Sequence, residues 1–202
     1  GGSNTLIGRY AGITATTVSG NTAVGDNALR VNVAEYNTAV GAFALDSNTT
    51  GTTNTAVGYG ALDANSTAEY NTGIGAYALV AATTGSYNTA LGRSAGLAIT
   101  TGTRNVAVGV DTLKAVTTGV NNVAVGANAL ASATAGETVA IGYAALNAMT
   151  AAVRNTAVGH EALTANTTGY NNTAIGYVAG KAITEGYQNT LVGDRAGTAL
   201  TT

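Results

Sequence analysis

Asn21-Thr22-Ala23-Val24-Gly25 is a pentapeptide that this chain of 202 residues repeats twelve times with small changes. The copies begin at residues 4, 21, 37, 54, 71, 88, 105, 122, 138, 155, 172 and 189, so the spacing is always 16 or 17 residues. So close a period is typical of one structural unit stacked on itself, with each copy in contact only with its neighbours. The sequence predicts one repeat array over residues 1–202. The chain begins three residues before a pentapeptide and ends within its last copy, so we expect it to be a segment of a longer fibrous protein.

Counted from the Asn of each copy, position 1 is Asn in eleven of twelve copies and position 5 is Gly in all twelve. An invariant Gly predicts a corner that needs a positive φ or a close backbone approach. Stacked coils would place Asn above Asn, either as an amide ladder or as a local cap of each turn. The ladder residues we single out are Asn21, Asn54, Asn88, Asn122, Asn155, Gly25, Gly58, Gly92, Gly126 and Gly159.

Positions 2 to 4 predict one short strand in each coil, but the second half of the coil fits two structures. Low variation at positions 9, 11 and 13 favours a second strand. Four copies replace the usual Leu at position 9 by Gly, and three of these carry Ile99, Ile183 or Leu200 at position 12. That exchange between residues three apart suits a helical turn, which a Gly such as Gly51 would end. We therefore expect an all-β solenoid (β-roll or β-helix) of twelve coils, or one strand plus one short helical turn per coil.

The interior of such a coil is thin. We expect it to hold one Val or Ile from position 4, one Leu and several Ala, against the backbone entropy of about 1–2 kcal/mol for each ordered residue. So little apolar volume suggests that a further surface is buried between copies of the chain. Closed rotational symmetry is the usual solution, and we predict a homotrimer.

The composition argues against several functional classes. The net charge of −2 contains no block of like charge, which argues against a nucleic-acid partner, and Asn, Thr and Gly interrupt every apolar run before it could insert in a membrane. His160 is the only histidine and the carboxylates never recur as a column, so we expect no catalytic residue, no metal, no cofactor and no enzyme activity.

Asn-Thr-Ala-Val-Gly followed by x-x-Ala-Leu and Thr-Thr-Gly resembles the repeat arrays of bacteriophage tail-fibre proteins. Val106-Ala107-Val108-Gly109 and Val139-Ala140-Ile141-Gly142 are similar to repeats of trimeric autotransporter adhesin heads. The resemblance implies a trimeric β-roll or β-solenoid, extracellular on a virion fibre or bacterial surface, that supports attachment to a host through a glycan or protein receptor. The coil is longer here than in the adhesin heads.

Ten tyrosines give the predicted surface its recurrent large side chains. Tyrosine offers an apolar face and a polar tip, so these residues would either contact glycans or shield loops and seams between subunits. Threonine columns at positions 2 and 13 leave ice binding open by analogy with other solenoids, and a self-assembling extracellular filament is a further alternative. The candidate glycan contacts are Tyr36, Tyr70, Tyr87, Tyr170 and Tyr187.

Overall fold

Each coil contributes one strand of three residues, and the twelve strands form a single parallel sheet in chain order. This computed structural model describes residues 2–134, 136–151 and 153–201. The fold is therefore the predicted all-β solenoid, and eleven steps of about 4.8 Å make it about 53 Å long from first strand to last. The strands are β1 (Thr5–Ile7), β2 (Thr22–Val24), β3 (Thr38–Val40), β4 (Thr55–Val57), β5 (Thr72–Ile74), β6 (Thr89–Leu91), β7 (Val106–Val108), β8 (Val123–Val125), β9 (Val139–Ile141), β10 (Thr156–Val158), β11 (Thr173–Ile175) and β12 (Thr190–Val192).

The strands keep one register along the whole sheet. Thr22 pairs with Thr38 across the short copy at 21–36, and Val123 pairs with Val139 across the short copy at 122–137. The missing residue is thus absorbed before the next strand, so this part of the coil tolerates a deletion. Ala135, in the second short copy, lies outside the described residues.

Both expectations for the second half of the coil are wrong, since the described residues contain neither a second strand nor a helix. Tight turns follow the strand instead. In the second coil, the Ala28 N–H donates to the Gly25 carbonyl at 3.4 Å, and the Asn32 N–H donates to the Leu29 carbonyl at 3.4 Å. Other N–H groups donate to the next coil, as Leu29 does to the Ala44 carbonyl at 3.0 Å.

Left-handed backbone, a conformation that residues other than Gly rarely adopt, recurs at three positions of each coil. Position 7, position 9 and the residue before each later Asn all have a φ between +49° and +72°. The buried Leu29 and Leu163, for example, have φ values of 51° and 49°. Gly can therefore replace Leu at position 9, because Gly adopts this φ without a steric cost.

The invariant Gly at position 5 is a stacking contact as well as a corner. These twelve residues have φ values between 123° and 142°, and a Cβ on Gly92 would lie 2.5 Å from the carbonyl oxygen of Gly109 in the next coil. The twelve glycines therefore form a column through the stack. Gly85, which follows a Thr pair, has a different role from the helix cap we expected, since its φ is not left-handed and a Cβ would collide with the backbone of Gly102.

The interior differs from the expectation at one position. The middle residue of each inner strand faces inward and is buried, whereas the aliphatic residue at position 4 faces outward. Ala39 is fully buried beside the exposed Val40, as strand alternation requires. The core is therefore built of alanines at positions 3 and 8 and of the column of leucines at position 9.

The side chain at position 12 fills the space that Gly leaves at position 9, as predicted. A Cβ on Gly96 would lie 3.1 Å from Ile99 Cδ1, and one on Gly180 would lie 3.4 Å from Ile183 Cδ1. Both isoleucines are fully buried. One volume is thus filled from either position, although the turn that brings the two together is not helical.

Asn at position 1 acts both as a ladder and as a cap. The Asn54 N–H donates to Asn37 Oδ1 at 3.0 Å in the neighbouring coil, while Asn54 Nδ2 donates to the Ala68 carbonyl in its own coil at 2.8 Å. The exception, Thr138, turns its hydroxyl to the Gly136 carbonyl of the preceding coil at 3.3 Å. The Asn column therefore closes each coil and also joins it to the next.

A second, shorter ladder lies inside the core at position 12. Asn48 Nδ2 donates to Asn32 Oδ1, and Asn65 Nδ2 donates to Asn48 Oδ1, both at 2.6 Å. Asn166 occupies the same position between the apolar Met149 and Ile183, and its amide has no hydrogen-bond partner among the described residues. A buried unpaired amide of this kind costs about 1–3 kcal/mol.

The Gly column can be tested with Gly92→Ala and its matched control Gly193→Ala. Both residues have a φ near +131° to +137°, but a Cβ on Gly193 would meet nothing within 4 Å. We expect Gly193→Ala to lower the free energy of unfolding by about 1–2 kcal/mol from backbone strain alone, and Gly92→Ala by about 3 kcal/mol or more. Urea denaturation followed by circular dichroism measures both, and equal losses would contradict the stacking contact.

The lone amide can be tested by making one substitution at two equivalent positions. Asn166→Val copies the Leu113 and Val116 combination of another coil and should raise the free energy of unfolding by about 1–2 kcal/mol. Asn48→Val removes bonds to Asn32, Asn65 and Gly51, and should lower the free energy of unfolding by about 2 kcal/mol. Thermal denaturation of the two variants should shift in opposite directions, and a shift in the same direction would be inconsistent with an unpaired Asn166.

Candidate functional site

Aromatic side chains form columns on the surface, because equivalent residues of neighbouring coils stack. The rings of Tyr70 and Tyr87 lie 5.1 Å apart between centroids and are 7° from parallel. Those of Tyr170 and Tyr187 lie 5.4 Å apart and are 8° from parallel. Arg104 continues the first column, with its guanidinium carbon 5.8 Å from the Tyr87 ring centroid.

The backbone before the Asn holds the rings of the first column in line. Tyr70 and Tyr87 have φ values of 56° and 63°, and Thr53, in the coil before Tyr70, has a φ of 59°. The Tyr70 N–H donates to the Thr52 carbonyl at 3.2 Å and the Tyr87 N–H to the Glu69 carbonyl at 3.1 Å. Every member of the column therefore leaves the coil in the same way, whatever its side chain.

The column is interrupted between Tyr36 and Tyr70, where Thr53 takes the place of a ring. An open groove of ≈ 560 Å³ lies here between the two tyrosines. Its other lining residues are the polar Glu35, Thr50, Thr52 and Thr53 and the apolar Val18, Val33 and Ala34. The Glu35 carboxylate accepts a hydrogen bond from the Ser19 hydroxyl at 3.1 Å. We name this space the column gap.

A second set of columns follows the Gly corner. His160 stacks between Tyr143 and Tyr177, with centroid distances of 5.1 and 5.4 Å, and Arg195 lies 5.9 Å from the Tyr177 ring centroid. The sequence did show tyrosine at the same position of other copies, so this stack could have been foreseen. The described residues give His160 no side-chain hydrogen bond to a carboxylate, and its role is ring contact.

A second groove, of ≈ 580 Å³, lies in these columns between Tyr10 and Phe43, with Asn27 between them. Its rim carries an ion pair, in which Arg30 Nε and Nη2 donate to the two oxygens of Asp46 at 2.7 and 2.9 Å. This bidentate geometry is the stronger form of an Arg–carboxylate pair. The Arg30 guanidinium is therefore already engaged by Asp46.

Asp63 lies one coil beyond Asp46, and its ionised form is disfavoured first by burial and then by the Asp46 charge. Burial, and then repulsion from Asp46, raise the pKa of Asp63, while Arg30 opposes this in part. At Asp26 the balance is reversed, because a hydrogen bond from Arg9 lowers the pKa of that carboxyl. The two carboxyl groups are thus expected to affect stability with opposite signs.

The outward side chains of positions 2 and 4 form a flat strip along the whole sheet, which we name the sheet face. Position 4 is always Val, Ile or Leu, position 2 is Thr or Val, and the strip contains no charge. Ile74, Leu91 and Ile141 expose 37%, 47% and 38% of their surface there. The sequence reasoning missed this face, since it assigned position 4 to the interior.

The threonine column at position 13 is already hydrogen-bonded within the stack. The Thr100 hydroxyl donates to the Thr117 carbonyl at 3.2 Å, and the Thr150 hydroxyl to the Thr167 carbonyl at 3.1 Å. These hydroxyl protons are therefore not free to donate hydrogen bonds to an ice surface. Of the two threonine arrays considered for ice binding, only the one at position 2 lies on the sheet face.

The structure separates the singled-out residues by location. The five tyrosines are all exposed, whereas the Asn and Gly ladder residues lie in the stack and hold the coils together. Across the described ranges, no three His, Asp or Glu side chains are grouped to hold a metal ion, and no helix has the length and apolarity needed to cross a membrane. No family model matches the chain, and no curated protein or solved structure is detectably similar to it.

The raised pKa of Asp63 gives a pH-dependent prediction. A raised pKa in the folded state means that ionisation of Asp63 costs stability, and that cost appears as the pH rises above the ordinary value of about 4. Asp63→Asn should therefore raise the melting temperature at pH 7 and have no such effect at pH 3. The gain in the free energy of unfolding at pH 7 should be only roughly 0.5 kcal/mol, because the group is half-exposed.

Asp26→Asn is the matched control for this prediction. The pKa of Asp26 is lowered, so its contribution is present above its ordinary pKa and is lost as the pH falls through the folded-state value. The melting temperature at pH 7 should fall for Asp26→Asn and rise for Asp63→Asn. A fall for both variants would show that the ionised form of Asp63 does not destabilise the fold.

Proposed function

We propose that the chain is a structural segment of an extracellular fibre or adhesin, such as a shaft that holds an attachment site away from a virion or a bacterial surface. The observation that carries this is the single register of twelve coils, in which every strand pairs only with the strands before and after it. Such an array is a rod of fixed spacing rather than a fold built around an active-site cavity. The resemblance of the pentapeptide to tail-fibre and adhesin-head repeats supports the same reading.

The sheet face supports self-association, and we propose that three copies meet along it. A strip of aliphatic and threonine side chains, uncharged and about 53 Å long, offers a large apolar surface of the kind that marks interaction sites. A second copy presents the same strip at the same spacing. Partial exposure of Leu91 and Ile141 would then be removed in the assembly.

Ice binding is less well supported. It would use the same strip, but the threonines at position 2 alternate there with aliphatic residues, and the threonines at position 13 donate their hydroxyls to the next coil. Aliphatic rows favour contact with a protein surface. We therefore place the self-associating rod before the ice-binding solenoid.

The proposal is tested by the mass and shape of the chain in solution. Sedimentation at micromolar concentration should give three times 19.7 kDa, which is 59.1 kDa, with the frictional ratio of a rod. Leu91→Lys combined with Ile141→Lys should give a folded monomer, because two charges on each copy would be buried without partners. Circular dichroism should show that the variant keeps its sheet.

The matched control places the same charges outside the sheet face. Thr84→Lys combined with Thr118→Lys changes two exposed positions of other coil segments and should leave the mass unchanged. A compact monomer for the unmodified chain would contradict the proposed rod assembly. A mass that rises with concentration and reaches no plateau would instead indicate the end-to-end filament.

A further inference from the structure

Six of the ten tyrosines form three pairs in which the two rings belong to consecutive coils. The pairs and their centroid distances are Tyr70 and Tyr87 (5.1 Å), Tyr59 and Tyr77 (5.3 Å), and Tyr170 and Tyr187 (5.4 Å). Two pairs are stacked and the third is edge-to-face, at 78°. The coil spacing therefore brings two phenol rings into contact at three places along the rod.

The other four tyrosines have no tyrosine ring against them among the described residues. They are Tyr10, Tyr36, Tyr143 and Tyr177. The Tyr36 ring lies beside the column gap and over Gly20, where an added Cβ would lie 2.7 Å from Tyr36 Cδ1. His160 separates Tyr143 from Tyr177. The same surface thus carries tyrosines that contact each other and tyrosines that do not.

The paired side chains are accessible and can move. All six expose between 43% and 59% of their surface, so an oxidant in solution can reach them. Exposed side chains change rotamer within picoseconds to nanoseconds. A ring can therefore leave its stacked position and turn its edge towards the neighbouring ring.

We propose that the three pairs are sites of oxidative cross-linking, at which hydrogen peroxide and a haem peroxidase join the two rings as dityrosine. The peroxidase removes one electron and one proton from each phenol, which leaves two phenoxyl radicals. The radicals form a carbon–carbon bond between two Cε atoms, those ortho to the oxygens. Each of these carbons then loses its hydrogen as a proton, and each oxygen regains one. Hydrogen peroxide accepts the two electrons and two protons and leaves as two water molecules.

Proximity selects the partner in this chemistry. Two radicals held in neighbouring positions react as one molecule, whereas more distant radicals must first meet. Each new bond would join consecutive coils and restrict the unfolded chain, as a disulfide does. The modification adds a covalent lock to the proposed rod and does not depend on how copies of the rod associate.

The test is oxidation of the full chain with a haem peroxidase and hydrogen peroxide. Chains that keep the mass of 19.7 kDa under denaturing conditions contain only internal cross-links, and these are digested with trypsin. Cleavage after Lys181 places Tyr170 and Tyr187 in separate peptides. Mass spectrometry should find these two peptides joined, with the loss of two hydrogen atoms. The Tyr143 peptide should be joined to another at least about tenfold less often.

Two variants exchange one exposed aromatic ring for another, so both should fold. Tyr187→Phe keeps the ring but has no phenol, and it should abolish the joined peptide. His160→Tyr should create a new cross-link, because it places a phenol where the His160 ring now lies 5.1 Å from Tyr143. Cleavage after Arg154 separates the two positions, so the new cross-link also joins two peptides.

Three results would overturn the inference. They are oxidised chains without the Tyr170–Tyr187 peptide, the same joined peptide in Tyr187→Phe, and equal cross-linking of the Tyr143 peptide with and without His160→Tyr. Each is independent of the sedimentation experiment. A monomeric chain that forms the predicted cross-links would overturn the proposed assembly and keep these sites. A trimeric rod that forms none of them would do the reverse.

Discussion

The contact on which the structure depends is the approach of one coil's backbone to the next at the Gly corner. At Gly92 a single added carbon would lie 2.5 Å from the carbonyl oxygen of Gly109, so the coils can stack at hydrogen-bonding distance only if this position has no side chain. That spacing aligns the strands in register, brings the Asn amides within reach of the next coil, and places equivalent surface side chains about 5 Å apart. Core, ladder and aromatic columns all follow from it.

The backbone of this fold adopts unfavourable φ values, and hydrogen bonds between stacked coils compensate for their conformational cost. Three positions per coil besides the Gly corner are left-handed, and each such non-glycine residue costs about 1–2 kcal/mol. Hydrogen bonds between coils hold these residues in place, as in the bond from the Leu29 N–H to the Ala44 carbonyl. A single coil would gain too little from its own contacts to adopt this conformation. Stability is therefore a property of neighbours, as expected of a one-dimensional array.

The repeat made the architecture predictable, because a period of 16 or 17 residues and an invariant Gly allow few structures. The turns were not predictable from residue preferences, since Leu29 is a residue that normally avoids a φ of 51°. The four copies with Gly at position 9 were the available signal, and they were interpreted as a change of volume alone. The direction of position 4 was missed because a three-residue strand is too short for its alternation to show which face is buried.

The surface was predictable in its composition but not in its spacing. The tyrosines before the Asn could be identified from the sequence, and their side chains are exposed in the structure. The gap at Thr53 has meaning only once the neighbouring rings are known to stack at 5.1 Å, which depends on the coil pitch. The ion pairs on the surface depend on the same pitch, since Arg30 and Asp46 are 16 residues apart in sequence.

Thr138 has a mechanical consequence. Tension along the axis would be carried by the joints between coils, and a joint with fewer hydrogen bonds would resist it less. The hydroxyl of Thr138 is turned to Gly136, whereas the equivalent Asn37 side chain accepts a hydrogen bond from the Asn54 N–H of the following coil. The joint between β9 and β10 therefore lacks a side-chain hydrogen bond that the joint between β3 and β4 has, and a pulled rod should part more easily there.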